Sequence, residues 1–123
     1  MSFLDVVFWE PRAGEEKEHD AMMDRWFAFV QEHHDELFPE WLSVRFYKDV
    51  DRDSGKHTGR FVILFEYDSH EGFLAYKKRR DGYPGPYQPY LEVDPVQFFQ
   101  QDTKYLQWWT PEKKEKWMDW TAS

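Results

Sequence analysis

The chain has 123 residues and a formal net charge of −8, from 24 Asp and Glu against 16 Lys and Arg, with no Cys. The acidic balance excludes broad nucleic-acid binding, which needs a basic face to displace phosphate counterions. Without Cys there are no disulfides, thiolate nucleophiles or sulfur-ligated metals. No apolar run reaches membrane-spanning length, and the first residues lack a basic segment followed by an apolar core, so a soluble cytoplasmic protein is expected. Aromatic residues make up 20% of the chain. One small core cannot enclose that many rings, so some are expected at an interface or around a pocket.

Phe3 to Glu10 is mostly apolar at consecutive positions and predicts a first strand, broken by Pro11 and Gly14. A long helix is expected from Glu15 to about Phe38. Its first turns are acidic, which suits the helix dipole, and Met22, Met23, Trp26, Phe27, Val30, Leu37 and Phe38 form its apolar stripe. Pro39 ends it. Trp41 to Val50 predicts a second strand, and Asp51 to Gly59, with two Gly among polar residues, an exposed hairpin loop. Phe61 to Tyr67 is a third strand, apolar at nearly every position. Such a strand lies inside a sheet covered on both faces.

Asp68 or Ser69 is placed to cap a second helix running to Asp81, with Gly82 at its stop. Tyr83 to Pro95, interrupted by Pro84, Pro86 and Pro89, is expected to be irregular. Asp94 and Pro95 fit the start of a short helix to Gln101. Thr103 to Thr110 predicts a last strand. Residues 1–111 are expected to form one domain, and 112–123 a helical tail carrying Trp117 and Trp120.

The order β-α-β-β-α-β is the split βαβ, ferredoxin-like arrangement of an α+β protein. It implies a four-stranded antiparallel sheet with helices on one face and the first and third strands central. Side chains alternate across a strand, so residue parity sorts them onto two faces. The even set (Leu4, Val6, Phe8, Val44, Phe46, Val62, Leu64, Leu106, Trp108) is apolar and is expected beneath the helices. The odd set (Asp5, Val7, Trp9, Ser43, Arg45, Tyr47, Ile63, Phe65, Tyr67, Tyr105, Gln107, Trp109) mixes rings with polar groups. It is too apolar to face water, and the simplest cover is a second copy of the chain.

In element order and in this two-face pattern the chain resembles the dimeric α+β-barrel superfamily, which includes antibiotic-biosynthesis-monooxygenase-like and NIPSNAP-like proteins. The local likeness is Phe65-Glu-Tyr-Asp-Ser-His-Glu-Gly-Phe-Leu-Ala-Tyr76, similar to that superfamily's strand-to-helix segment. The resemblance implies a homodimer with a pocket between sheet and helices or between two sheets. It further implies cofactor-free oxygenation or a related rearrangement of a small aromatic or apolar substrate. The haem-degrading branch would carry an Asn near the haem, and this chain has no Asn.

The candidate ligand-binding residues are Trp9, Arg45, Tyr47, Phe65, Tyr67, Tyr105, Gln107 and Trp109 on the mixed face, with His33 from the first helix. Many apolar walls with few convergent polar atoms are what a small-molecule pocket needs. The competing reading is a structural hydrogen-bond network at the dimer interface, with Arg45 paired to Asp5. His33 or Tyr67 is the candidate general base. Adjacent His33 and His34 point a quarter-turn apart and do not make a metal site, and His19 and His57 are expected in solvent. Lys77 to Arg80 reads as a solvated cationic last turn. No phosphate loop or nucleophile elbow is present, and neither cofactor nor metal is expected. Two functions remain open: an enzyme of the cofactor-independent monooxygenase kind, or a non-catalytic ligand-binding or structural dimer.

Overall fold

The computed structural model describes residues 2–81, 90, 100–110 and 116–121. Six elements follow one another: β1 (Phe3–Pro11), α1 (Glu16–Leu37), β2 (Trp41–Val50), β3 (His57–Tyr67), α2 (His70–Arg80) and β4 (Gln100–Trp109). They form one four-stranded antiparallel sheet in the order β2-β3-β1-β4, so β1 and β3 are central as expected. The expectations for Gly82 and for residues 83–89 and 91–99 lie outside the described residues. Gln100 and Gln101 belong to β4 and not to a short helix. Residues 112–115 of the tail also lie outside the described residues, and Trp117 to Thr121 are not helical.

Local chemistry accounts for the ends of the elements. The Ser69 side chain accepts from the Gly72 N–H at 3.0 Å, capping one orphan donor of α2. α1 has no side-chain cap, but Glu16 and Glu18 stand in its first turn, where the dipole favours negative charge. The hairpin between β2 and β3 is tied by Asp51, whose Oδ1 accepts from Asp53 N–H (3.0 Å) and Ser54 N–H (2.8 Å). Gly55 there has φ +71°, a conformation that favours glycine.

The two faces of the sheet are exchanged relative to the parity expectation. Phe3, Val7, Trp9, Phe61, Ile63 and Tyr67, all odd-numbered, pack with Met23, Trp26, Val30, Leu37, Phe38 and Tyr76 in one buried cluster. The odd positions of β1 and β3 therefore face the helices. The even face carries Val6, buried, with Leu4, Phe8, Val62 and Leu64 half-buried and Leu106 and Trp108 exposed. Both faces of these strands are apolar, so parity separated them without saying which one the helices cover. The odd side carries the larger rings, and burying them removes more apolar area from water.

β2 departs from parity for a second reason. Trp41 pairs with Tyr67 but Ser43 pairs with Glu66, so two residues of β2 stand against one of β3, a β-bulge. Beyond it the alternation of β2 flips relative to its neighbour. Ser43, Arg45 and Tyr47 share the open face with Glu66, Leu64 and Val62, and Ser43 Oγ donates to Glu66 Oε1 at 2.8 Å. Val44 and Phe46 turn to the helix side, where Phe46 stacks on Phe61 at 5.2 Å between centroids.

Candidate functional site

Between the odd face of the sheet and the two helices lies a cleft of about 180 Å³. Its floor is Asp5, Val7 and Trp9 of β1 with Ile63, Phe65 and Tyr67 of β3, and Tyr105 of β4 closes one side. Met23 and Trp26 of α1, Trp41 of β2, and Tyr76, Lys77 and Arg80 of α2 complete the wall with Tyr90. The rings are fixed before any ligand arrives. Trp41 Nε1 donates to Tyr67 Oη at 2.8 Å, and Trp26 Nε1 donates to Tyr90 Oη at 2.9 Å. Buried indole N–H groups need such partners, and here each partner is itself part of the wall. A dry cavity of about 150 Å³ takes one benzene ring, so the cleft suits one ring with substituents.

Asp5 is the acidic group of the cleft and is only 5% exposed. It accepts from Gln107 Nε2 at 3.0 Å across the β1–β4 ladder. Burial pushes its carboxyl above the usual aspartate range, an effect that the Gln107 hydrogen bond and the Lys77 charge reduce. A carboxyl raised in this way, against aromatic walls, is better matched to proton transfer near neutrality than an exposed one. Tyr67 differs. Burial pushes its phenol far up, only partly opposed by the hydrogen bond from Trp41, so it stays protonated.

His19 closes the far end behind Trp9. It is fully buried, and its Nε2 accepts from Trp9 Nε1 at 2.9 Å while Nδ1 lies 3.0 Å from Asp20 Oδ1. An accepting Nε2 puts the imidazole proton on Nδ1, facing Asp20. The expectation that His19 stands in solvent is corrected: it falls four residues before Met23 on the buried stripe of α1, and that spacing was the available signal.

The structure brings Trp9, Phe65, Tyr67 and Tyr105 together in the cleft, with Gln107 holding Asp5 beside them. It does not bring the others there. The bulge in β2 sends Arg45 and Tyr47 to the open face, which removes both from the cleft and rules out the Arg45–Asp5 pairing. Trp109 packs against Phe3 (5.4 Å) and His70 (6.5 Å) at the end of the sheet. His33 lies on the outer side of α1, against Phe29 at 4.4 Å and with Nδ1 3.3 Å from Glu36 Oε2, so it is no base for a ligand in the cleft. Tyr67 is in place but too weakly acidic for the role of base. Asp5, expected only as a partner for Arg45, is the carboxyl among the described residues that line the cleft. Among the described residues no three His, Asp or Glu side chains converge as a metal site, and no helix is long and apolar enough to cross a membrane.

No family model matches the chain, and no curated protein sequence does. Solved structures do resemble it. The cofactor-independent oxygenase SnoaB from Streptomyces nogalater superposes with a TM-score of 0.57 at 12% identity, over 90% of this chain and 94% of that one. A NIPSNAP family protein from Agrobacterium tumefaciens gives 0.59 at 8% identity, over 89% and 92%. A dimeric ferredoxin-like protein of unknown function from Thermobifida fusca gives 0.55 at 15% identity, over 88% and 90%. At these identities the likeness is one of fold. The chain has the ferredoxin-like fold.

Proposed function

We propose that this chain is a homodimer binding a small aromatic molecule in the cleft, and that it oxygenates its ligand without a cofactor, with Asp5 as the base. The observation that carries this reading is a buried carboxyl with a raised proton affinity inside a ring-walled cleft of one-ring size. SnoaB, a cofactor-independent oxygenase of the same fold, supports the choice of reaction class. Asp5 takes a proton from an activated benzylic methylene, and the delocalised carbanion reduces dioxygen. Over the whole reaction CH2 and O2 give C=O and H2O, with four electrons passing from carbon to oxygen and no outside reductant. Tyr67, still protonated, donates toward the developing oxyanion. Trp41 holds that phenol in position.

The open face supports the dimer. Tyr47, Leu106 and Trp108 are exposed there beside half-buried Phe8, Val62 and Leu64, a contiguous apolar surface that a soluble monomer rarely leaves bare. The dimeric ferredoxin-like protein from Thermobifida fusca supports the same assembly. Sedimentation of the wild type and of Leu106→Arg tests it. A dimer that the substitution dissociates supports the assembly, and a wild-type monomer at micromolar concentration refutes it.

Oxygen uptake with hydroxylated one-ring aromatics carrying an activated benzylic methylene tests the chemistry. Uptake is expected with wild type and is expected to fall by about 10²-fold or more in Asp5→Asn, the range of a lost general base. A second reading, a non-catalytic ligand-binding or structural dimer, is favoured by the internal satisfaction of the Trp26 and Trp41 N–H groups. Wild-type uptake no faster than the protein-free control would favour it, and equal uptake in wild type and Asp5→Asn would remove Asp5 from the role of base.

A further inference from the structure

The cationic run of α2, Lys77-Lys78-Arg79-Arg80, is divided by the structure into two roles. Arg79 turns away from the cleft. Its Nη1 and Nη2 each donate to Glu40 at 2.6 Å, and Nη2 also donates to the Leu37 carbonyl at 3.1 Å. Lys77 and Arg80, three residues apart on one side of the helix, turn into the cleft with Tyr76. The Arg80 guanidinium sits 4.7 Å from the Tyr90 ring centroid, and its Nη1 donates to Tyr76 Oη at 3.1 Å. Lys77 Nζ stands 5.7 Å from the Phe73 centroid. In a chain of net charge −8, the described lining of this cleft therefore carries two cations and one carboxyl.

We propose that the ligand of the cleft is an anionic aromatic, an aryl carboxylate, with Lys77 and Arg80 holding the carboxylate and the ring walls holding the aryl face. The inference rests on the reading that the cleft is the ligand site, and deepens it by naming the charge of the ligand. A neutral ring gains only apolar burial in such a site. A carboxylate gains charge-assisted hydrogen bonds as well. Arg80 is already stacked and bonded in place, so little side-chain freedom is lost when it binds. Asp5 lies opposite with its charge disfavoured by burial, which lessens its repulsion of the ligand.

The test is titration calorimetry at pH 7 on the full chain with two probes that differ in charge and by one methyl group, 4-hydroxybenzoate and its neutral methyl ester. The carboxylate is expected to bind at least about tenfold more tightly, the scale of one hydrogen bond to a charged group. Lys77→Met and Arg80→Gln are each expected to reduce that ratio while leaving the ester within about threefold of its wild-type affinity. Asp5→Asn, which removes the opposing charge, is expected to widen the ratio. Equal binding of the two probes overturns the inference and leaves the cleft as a site for neutral aromatics. So does a preference that survives both cation substitutions. Binding of neither probe at millimolar concentration removes the site reading and the inference with it.

Discussion

Tyr67→Phe removes one oxygen atom from the wall of the cleft, and its effect follows from the surroundings of Trp41. The Trp41 indole is 3% exposed and donates Nε1–H to Tyr67 Oη at 2.8 Å. It is stacked on Phe38 at 4.4 Å and packed against Phe65 at 4.7 Å and Tyr76 at 5.3 Å. When the hydroxyl is removed, those ring faces offer no equivalent acceptor. A buried donor left without its partner costs about 1–3 kcal/mol. The expected loss is therefore about 2 kcal/mol, which lowers Tm by roughly 8 °C for a domain of this size. Urea unfolding at fixed protomer concentration measures it, since a dimer's stability depends on concentration. Trp41→Phe removes the donor instead, and Tyr67→Phe added to it should then cost little. The coupling energy of the cycle is expected to be at least about 1 kcal/mol. If Tyr67→Phe changes stability by less than about 0.5 kcal/mol, or the two substitutions simply add, the pair is not a dry internal hydrogen bond and the reasoning fails.

Three further outcomes are expected. Asp5 binds its proton more strongly folded than unfolded, so its contribution to stability is fully present below the unfolded value of 3.8 and is lost as pH rises through the higher folded value. Asp5→Asn should remove that loss, and equal pH profiles of Tm for the two proteins would contradict it. His34 donates Nε2–H to the Trp41 carbonyl at 2.7 Å and Nδ1–H to Asp35 at 2.9 Å, two bonds that only the imidazolium makes together. The backbone bond, then the Asp35 contact, raises it above 6.5, so its stabilisation is complete below 6.5 and fades as pH rises through the folded value. His34→Gln should flatten this small, partly screened slope, seen by Tm measured between pH 6 and 8.5. Gly55→Ala meets no atom within 4 Å, so its expected cost of about 1 kcal/mol comes from the backbone alone at φ +71°; a thermal melt that does not move would show that the hairpin adopts another turn.

The sheet was legible because its signals are local. Unbroken apolar runs marked β1 and β3 as central, Ser69 marked the start of α2, and Trp41 to Val50 matched β2 residue for residue. The choice of face was not legible, because β1 and β3 are apolar on both sides and alternation carries no direction. The bulge at Trp41–Ser43 was hidden for another reason. Nothing in Trp-Leu-Ser announces an extra residue, and the pairing with Tyr67 and Glu66 is set by the partner strand. These two facts together explain why Trp9, Phe65, Tyr67 and Tyr105 share one cleft while Arg45 and Tyr47 lie on the other face of the sheet. Asp5 escaped notice because its importance comes from burial beside Gln107, a residue 102 positions away.

The bulge has a consequence for how such a cleft can change over time. Every residue of β2 beyond it owes its side of the sheet to one spare residue, so a slide of one position acts here as an edit of chemistry. If Leu42 took Glu66 as its partner, with the spare residue passing into the hairpin, Arg45 and Tyr47 would turn toward the helices while Val44 and Phe46 moved to the open face. Deleting Leu42 would not do this, because Ser43, Arg45 and Tyr47 would keep Glu66, Leu64 and Val62 as partners and with them their side of the sheet. In the present core the slid register would put a guanidinium opposite Ile63 and take away the ring that stacks on Phe61 at 5.2 Å, so it should lose cooperative unfolding. With room made on α1 opposite it, the same slide becomes a single step between two pocket chemistries on one fold.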